Sequence, residues 1–174
     1  VILRSSDHIQ EMTARVHEQT QELPLRPAFH EVGELLDEAL AGIGLEDGVE
    51  VVRMEKKGLR IWCDKAQIVE VIGNIARNAV EAMPHGGRLQ VRTSEMKRTI
   101  VLEFKDTGTG IDAKELRNVL EPFYTTKAGR AMNFGLGLAY SYNVMKQHGG
   151  SLDLHSVPGT GTTVSLSFPK RKGQ

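Results

Sequence analysis

Four short segments rich in glycine, asparagine and threonine constrain the fold of this 174-residue chain more than any other feature. In chain order they are Asn74–Ala82, Asp106–Gly110, Gly135–Leu138 and Gly159–Thr162. The first lies within a predicted helix, and the other three lie where one predicted element gives way to the next. Because glycine lets the backbone turn sharply and approach other groups closely, the four segments together predict one shared pocket.

Apolar periodicity predicts the elements that carry these segments. Helices are predicted at residues 4–22, Glu31–Leu40, Asp64–Met83, Ala113–Leu120 and Leu136–His148. Strands are predicted at Val49–Met54 and Leu59–Cys63 around a turn at Lys56–Gly58, at Leu89–Thr93 and Ile100–Phe104 as a hairpin, and at Ser151–His155 and Thr162–Phe168 as a closing pair. Without a regular βαβ alternation, this order favours an α+β sandwich over a doubly wound sheet. Residues 121–135 lack apolar periodicity and are predicted to form a mobile lid.

Composition narrows the class of protein. The chain has 22 basic and 22 acidic residues, so its charge gives no argument for binding nucleic acid or an anionic membrane. The single Cys63 cannot form an internal disulfide, which fits a reducing cytosolic setting. The sequence contains no apolar run of the roughly 20 residues that a membrane helix needs. We expect a cytoplasmic domain, with the full-length protein anchored in a membrane as an open alternative.

The first two segments contain two asparagines that could supply oxygen ligands and an aspartate that could accept a hydrogen bond. Asn74 and Asn78 are four residues apart, so their side chains project from one face of the predicted helix. Mg²⁺ takes oxygen ligands, which an asparagine carbonyl can supply. Asp106 follows a strand, and a buried carboxylate there can accept a hydrogen bond from an adenine amino group. Gly108 and Gly110 are predicted to take positive φ and to let the backbone approach the base. Surface asparagines and a plain turn are the alternatives.

These four segments, taken in this order, resemble the ATP-binding catalytic domain of bacterial sensor histidine kinases, whose superfamily includes DNA gyrase, mismatch-repair ATPases and chaperone ATPases. The resemblance covers roughly residues 29–169. It implies a two-layer α/β sandwich of the Bergerat type, with a mixed sheet packed on three helices and a short N-terminal helix. It also implies that Asn78 ligates Mg²⁺ between the phosphates of ATP, and that Asp106 selects adenine.

The resemblance implies further nucleotide contacts. Gly135, Leu136, Gly137 and Leu138 open a helix whose free N–H groups would meet phosphate oxygens. Segment 121–127 is similar to the phenylalanine-containing box of the family, in which Phe123 would anchor the lid. Lys127 and Arg130 would reach the terminal phosphate as catalytic cations, with a solvated basic loop as the alternative. Thr126 would contact the nucleotide. Thr162 would contact the base side, although its segment is also a good hairpin turn. Asn133 and Phe134 depart from the family, which usually has a glycine and a small hydroxyl residue there.

Asn74 separates the branches of this superfamily. The ATP-hydrolysing relatives have a glutamate at the matching position, where it acts as a general base on water. An amide cannot take a proton at neutral pH, so Asn74 predicts a kinase that holds ATP without hydrolysing it. It argues against an anti-sigma-type serine kinase, whose members keep the glutamate. A nucleotide-sensing module without catalysis is the alternative of a different class.

The phosphoacceptor histidine is not found in a matching context. His30-Glu31-Val32 resembles the start of an acceptor box, but Gly33-Glu34 follows it, and too few residues separate it from Asn74. We therefore expect residues 1–28 to be the end of the dimerisation hairpin with a linker, 29–170 the catalytic domain, and 171–174 a tail. The expected partners are ATP or ADP, the acceptor hairpin of the same protein, a response-regulator receiver domain and, at full length, a second copy.

Overall fold

The computed structural model describes residues 25–44, 48–116, 118 and 137–171. The strands are β1 (Ala28–Glu31), β2 (Val49–Met54), β3 (Arg60–Cys63), β4 (Gly87–Glu95), β5 (Thr99–Asp106), β6 (Ser151–Val157) and β7 (Gly161–Pro169). The helices are α1 (Val32–Ala41), α2 (Lys65–Glu81), α3 (Ala113–Leu116) and α4 (Gly137–Gln147). The predicted helix at residues 4–22 and the predicted lid lie outside the described residues.

A five-stranded mixed sheet forms one layer of the molecule. Its strand order is β2-β4-β5-β7-β6, in which β2 runs parallel to β4 and the other neighbours are antiparallel. The helices α1, α2 and α4 contribute buried side chains to one core with this sheet. The predicted α+β sandwich is therefore confirmed, as are the central hairpin β4–β5 and the closing pair β6–β7.

A second, two-stranded sheet was not anticipated. The strands predicted around the turn at Lys56–Gly58 are both present, but they do not pair with each other. Strand β2 joins the large sheet, whereas β3 pairs with β1. The four residues of β1 follow Pro27 and carry no alternating apolar pattern, so they give no strand signal. Phe29 of β1 packs edge-to-face on Trp62 of β3, with 4.9 Å between the ring centroids.

Helix α2 is the main bridge between the layers because one of its faces is almost entirely apolar. Eight of its residues are buried: Ile68, Val71, Ile72, Gly73, Ile75, Ala76, Ala79 and Val80. They share a core with Leu89, Val91, Leu102, Phe104 and Leu166 of the sheet. Full burial of one such large aliphatic side chain contributes roughly 1.5–3 kcal/mol. The opposite face of α2 is thereby left to carry polar residues.

Asp64 joins three parts of the chain at the start of α2. Its Oδ1 accepts a hydrogen bond from the Gln67 N–H (3.3 Å), as the predicted helix cap requires, and its Oδ2 accepts one from the Arg26 N–H (3.0 Å). The Asp64 N–H donates to Nε2 of the buried His148 at 3.0 Å. Nδ1 of His148 lies 2.8 Å from the carbonyl oxygen of Val144. Because a carbonyl only accepts, His148 is held as the neutral tautomer with its proton on Nδ1.

Cys63 is fully buried beside this junction. Burial raises the pKa of its thiol to about 12, and the neighbouring Asp64 charge adds to the effect. The thiolate is the reactive form, so Cys63 is a small apolar core residue with no redox chemistry at neutral pH.

No helix among the described residues is long and apolar enough to cross a membrane.

Replacing His148 tests whether this junction holds α2 and α4 together. We expect His148→Ala to lower the free energy of unfolding by about 2–4 kcal/mol, because it leaves a cavity and a partly buried Asp64 N–H without its acceptor. His155→Ala, at an exposed position on β6, is the control and should change stability by at most about 0.5 kcal/mol. Urea unfolding followed by circular dichroism measures both. Equal losses would show that the His148 contacts contribute nothing specific.

Candidate functional site

Asp106 is a charged side chain inside the core at the end of β5. It is 5% exposed, and strands β4 and β7 flank β5 on either side. Its Oδ1 accepts hydrogen bonds from the Gly108 N–H (2.8 Å) and the Thr162 N–H (3.1 Å). Two backbone donors hold this carboxyl group in one orientation. A carboxylate fixed in this way can act as a directed hydrogen-bond acceptor.

The loop after Asp106 packs by its backbone, and its glycines are the reason. A Cβ on Gly108 would lie 2.5 Å from the Ala82 carbonyl oxygen at the end of α2, and the Thr109 N–H donates to that same oxygen at 3.0 Å. Gly110 has φ of +68°, and a Cβ there would lie 2.2 Å from the Val157 carbonyl oxygen. The predicted positive φ is therefore present at Gly110 and absent at Gly108, where close approach to α2 is the constraint.

The β6–β7 turn closes the other side of this loop. A Cβ on Gly161 would lie 2.1 Å from the Asp106 carbonyl oxygen. The side chain of Thr162 is buried, and its hydroxyl lies 2.9 Å from Oγ of Ser156. Ser156 Oγ also accepts from the Ile111 N–H at 2.8 Å. The structure thus gives Thr162 two contacts that fix the site: its N–H holds Asp106 and its hydroxyl meets Ser156.

Ser156 was not identified from the sequence. It stands directly opposite Thr162 in the β6–β7 register, and that pairing is the signal that would have indicated it. Thr107 was missed for the same reason. Its hydroxyl accepts from the Arg88 N–H at 3.0 Å and ties the loop to the start of β4. Ser156 and Thr107 both hold the loop after Asp106 to neighbouring strands, so their role depends on strand register more than on a local motif.

The start of α4 lies against the polar face of α2. A Cβ on Gly137 would lie 3.6 Å from Cγ of Asn74. The Tyr140 hydroxyl of α4 donates to Glu70 of α2 at 2.9 Å and so joins the two helices. Within α4, the Ser141 hydroxyl donates to the Gly137 carbonyl at 2.7 Å and fixes the first turn. The first N–H groups of a helix have no partner within it and favour an anion. Asn74 of α2 and the first described turn of α4 are therefore brought together.

Only one of the two polar atoms of the Asn74 side chain has a hydrogen-bond partner among the described residues. Its Oδ1 accepts from the Arg77 guanidinium one turn along α2. Its Nδ2 is buried and has no hydrogen-bond partner among the described residues. A buried donor without an acceptor is costly, so an acceptor that arrives with a ligand would stabilise this side chain.

Asn78 lies one helical turn after Asn74 and one turn before Ala82, where the Asp106 loop contacts α2. It is partly exposed. Within the described ranges, no three histidine, cysteine or acidic side chains are grouped as a metal site. A hard cation beside Asn78 would therefore depend on its amide oxygen and on oxygens of the ligand itself.

Several predicted residues cannot be placed. Those outside the described residues are Phe123, Thr126, Lys127, Arg130, Asn133, Phe134, Gly135 and Leu136. Their roles remain predictions. Leu138 is partly buried in the first turn of α4.

Comparison with known proteins gives a consistent result. Residues 63–172 match the family described as histidine kinase-, DNA gyrase B- and HSP90-like ATPase. Sporulation kinase A of Bacillus subtilis is 38% identical over 117 residues, which is 67% of this chain but 19% of that protein. The mycobacterial sensor histidine kinase MprB superposes with a TM-score of 0.74 at 25% identity, covering 83% of this chain and 98% of the solved one.

A further solved structure contains a kinase with its partner. Histidine kinase ThkA in complex with the response regulator protein TrrA has a TM-score of 0.77 at 20% identity, covering 98% of this chain and 49% of that one. At this identity the likeness concerns the fold alone. This chain spans less than a quarter of the length of Sporulation kinase A and of two further relatives that it matches.

The close approach at Gly110 can be tested against a matched glycine. We expect Gly110→Ala to destabilise the fold by more than about 2 kcal/mol, because a methyl group would collide with the Val157 carbonyl in addition to the strain of positive φ. Gly159 has φ of +72°, and a methyl group there would meet no atom within 4 Å, so Gly159→Ala should cost only about 1 kcal/mol. Thermal unfolding compares the two. A difference below the measurement error would contradict the packing described for this loop.

Proposed function

Because this chain belongs to the family of histidine kinase-, DNA gyrase B- and HSP90-like ATPases and corresponds to the ATP-binding catalytic domain of sensor histidine kinases, we propose that it binds Mg·ATP along α2 and directs the γ-phosphate to a histidine on a helical hairpin. The observation that carries this proposal is the buried carboxylate of Asp106, held by two backbone N–H groups at the end of the central strand.

Adenine is the base that suits this acceptor. An ionised carboxylate only accepts hydrogen bonds, and the exocyclic amino group of adenine donates. Guanine has a carbonyl oxygen at that position, which would face the carboxylate with no proton between them. Gly108, Gly110 and Gly161 pack so closely against neighbouring carbonyl groups that the backbone around Asp106 is fixed, and with it the direction in which the carboxylate meets a base.

The phosphates would extend along α2 toward Asn74. The distance from Ala82, where the adenine loop contacts the helix, back to Asn74 is eight residues, or about 12 Å of helix. Asn78 lies midway and would supply an oxygen ligand to Mg²⁺. The unpartnered Nδ2 of Asn74 and the start of α4 lie at the far end, where the terminal phosphate would bring acceptor oxygens. The described residues therefore fit Mg·ATP.

Catalysis would come mainly from positioning and from neutralisation of charge. Bound Mg²⁺ would offset the negative charge of the phosphates. Lys127 and Arg130 would add positive charge at the γ-phosphate, and Thr126 would contact the nucleotide. Asn74 cannot act as a base, so water would not be activated while the acceptor histidine approaches. An aspartate of a response regulator would then receive the phosphoryl group, and the full-length protein would act as a homodimer.

An isosteric change at Asp106 tests the nucleotide site. Asp106→Asn can keep the oxygen that accepts from Gly108 and Thr162, but it replaces the second oxygen with an NH₂ group that cannot accept from adenine. We expect ATP affinity to fall by about 1–3 kcal/mol, or about 5-fold to 150-fold, with the fold retained. Calorimetric titration with ATP, ADP and GTP, with and without Mg²⁺, measures this. Asp153→Asn, at an exposed position on β6, is the control. Unchanged ATP binding by Asp106→Asn would refute the adenine assignment.

Transfer to a separate acceptor tests the catalytic part of the proposal. The chain is mixed with radiolabelled Mg·ATP and a separately produced sensor-kinase hairpin that carries an acceptor histidine. We expect label on the hairpin, and none on the same hairpin with that histidine replaced by glutamine. Asn78→Ala should lower the rate by about tenfold or more, because it removes the proposed Mg²⁺ ligand. Tight ATP binding without any transfer would indicate a nucleotide-sensing module.

A further inference from the structure

Arg77 has a position that the proposed function does not use. Its guanidinium folds back along α2, and a Cβ on Gly73 would lie 3.0 Å from Nη1 and 3.7 Å from Cζ. Glycine at residue 73 gives Arg77 room for this conformation, because a methyl group there would press on Nη1. In this position Arg77 donates from Nη2 to Oδ1 of Asn74.

This contact fixes how Asn74 faces the site. A guanidinium has donors and no acceptor, so the atom of Asn74 that faces Arg77 must be the carbonyl oxygen. That oxygen is the only group of the Asn74 side chain able to accept a hydrogen bond from water. The structure therefore has the amide oxygen engaged by an arginine at the position where a base would stand in an ATP-hydrolysing site.

We propose that Arg77 is a specificity-determining residue that occupies the acceptor atom at position 74 and so favours transfer of the phosphoryl group to histidine over transfer to water. The inference rests on the proposed function. In both reactions the bond from the γ-phosphorus to the β-phosphate oxygen breaks and ADP leaves. In transfer, an imidazole nitrogen forms the new bond. In hydrolysis, a water oxygen forms it and the proton of that water must be accepted by a base.

Two features then prevent the side chain at position 74 from activating water. An amide cannot take the proton, and Arg77 prevents its oxygen from orienting water. If a carboxyl group replaced the amide, Arg77 would pair with it and keep it a weak base, because a neighbouring cation favours the charged form. Removing Arg77 should therefore make such a carboxyl group a stronger base.

The test compares ATP hydrolysis by the chain and its variants at saturating Mg·ATP. We expect Asn74→Glu to remain slow and the double variant Asn74→Glu/Arg77→Met to be about tenfold faster or more, because a freed carboxylate can serve as a base. Arg77→Lys combined with Asn74→Glu should stay slow, since an ammonium also pairs with the carboxylate. Arg92→Met, which removes an exposed arginine of β4, is the matched charge control in the same background. Equal rates with and without Arg77, whether both fast or both slow, would overturn the inference.

A second readout separates this inference from the proposed function. ATP titration of the unmodified chain comes first, and failure to bind would refute the nucleotide site by itself. The contact is then tested in the nucleotide-free chain by nuclear magnetic resonance titration of the carboxyl group that Asn74→Glu introduces. With Arg77 present, its pKa should be about one unit or more below its value in the Arg77→Met background. No difference would overturn the role of Arg77 even if ATP binds.

Discussion

The contact between Asp64 and His148 determines how the two site helices are aligned. Asp64 caps α2 with its carboxylate and donates its own N–H to His148, one residue after the end of α4. The other end of α4, at Gly137, lies in contact with Asn74 in the middle of α2. A neutral histidine suits this junction because it accepts on one ring nitrogen and donates on the other. The phosphate end of the proposed site thus depends on a junction at the opposite end of α4.

The sheet supplies the other half of the site. Its central strand β5 ends in Asp106, and its neighbours β4 and β7 begin with Gly87 and Gly161, which lie beside that carboxylate loop. The proposed adenine end is therefore built by strand register, and the proposed phosphate end by helix packing. Helix α2 belongs to both, because Ala82 contacts the loop and Asn74 contacts α4. A ligand bound along α2 would contact both layers of the sandwich at once.

Local signals in the sequence predicted most of the regular elements. Helix α2 has a cap at Asp64 and a continuous apolar face, and the hairpin β4–β5 alternates buried and exposed residues. Pairings between distant segments could not be predicted, because the parallel partner of β2 and the β1–β3 sheet depend on packing. In the site, Asp106, Asn74 and Asn78 stand out as residue types. The contacts of Ser156 and Arg77 do not, since they follow from register and from the missing side chain at Gly73.

The wall beside Asp106 is made of peptide groups, and this affects how the site can evolve. The side chains of Thr107 and Thr109 are exposed, whereas a methyl group at Gly108, Gly110 or Gly161 would lie within 2.5 Å of a carbonyl oxygen. Because the Thr107 hydroxyl also accepts from the Arg88 N–H, Thr109 is the exposed position where a substitution would leave the loop backbone unchanged. In the proposed nucleotide site, new selectivity would therefore have to arise at such an exposed position, because the glycine backbone has almost no route of gradual change.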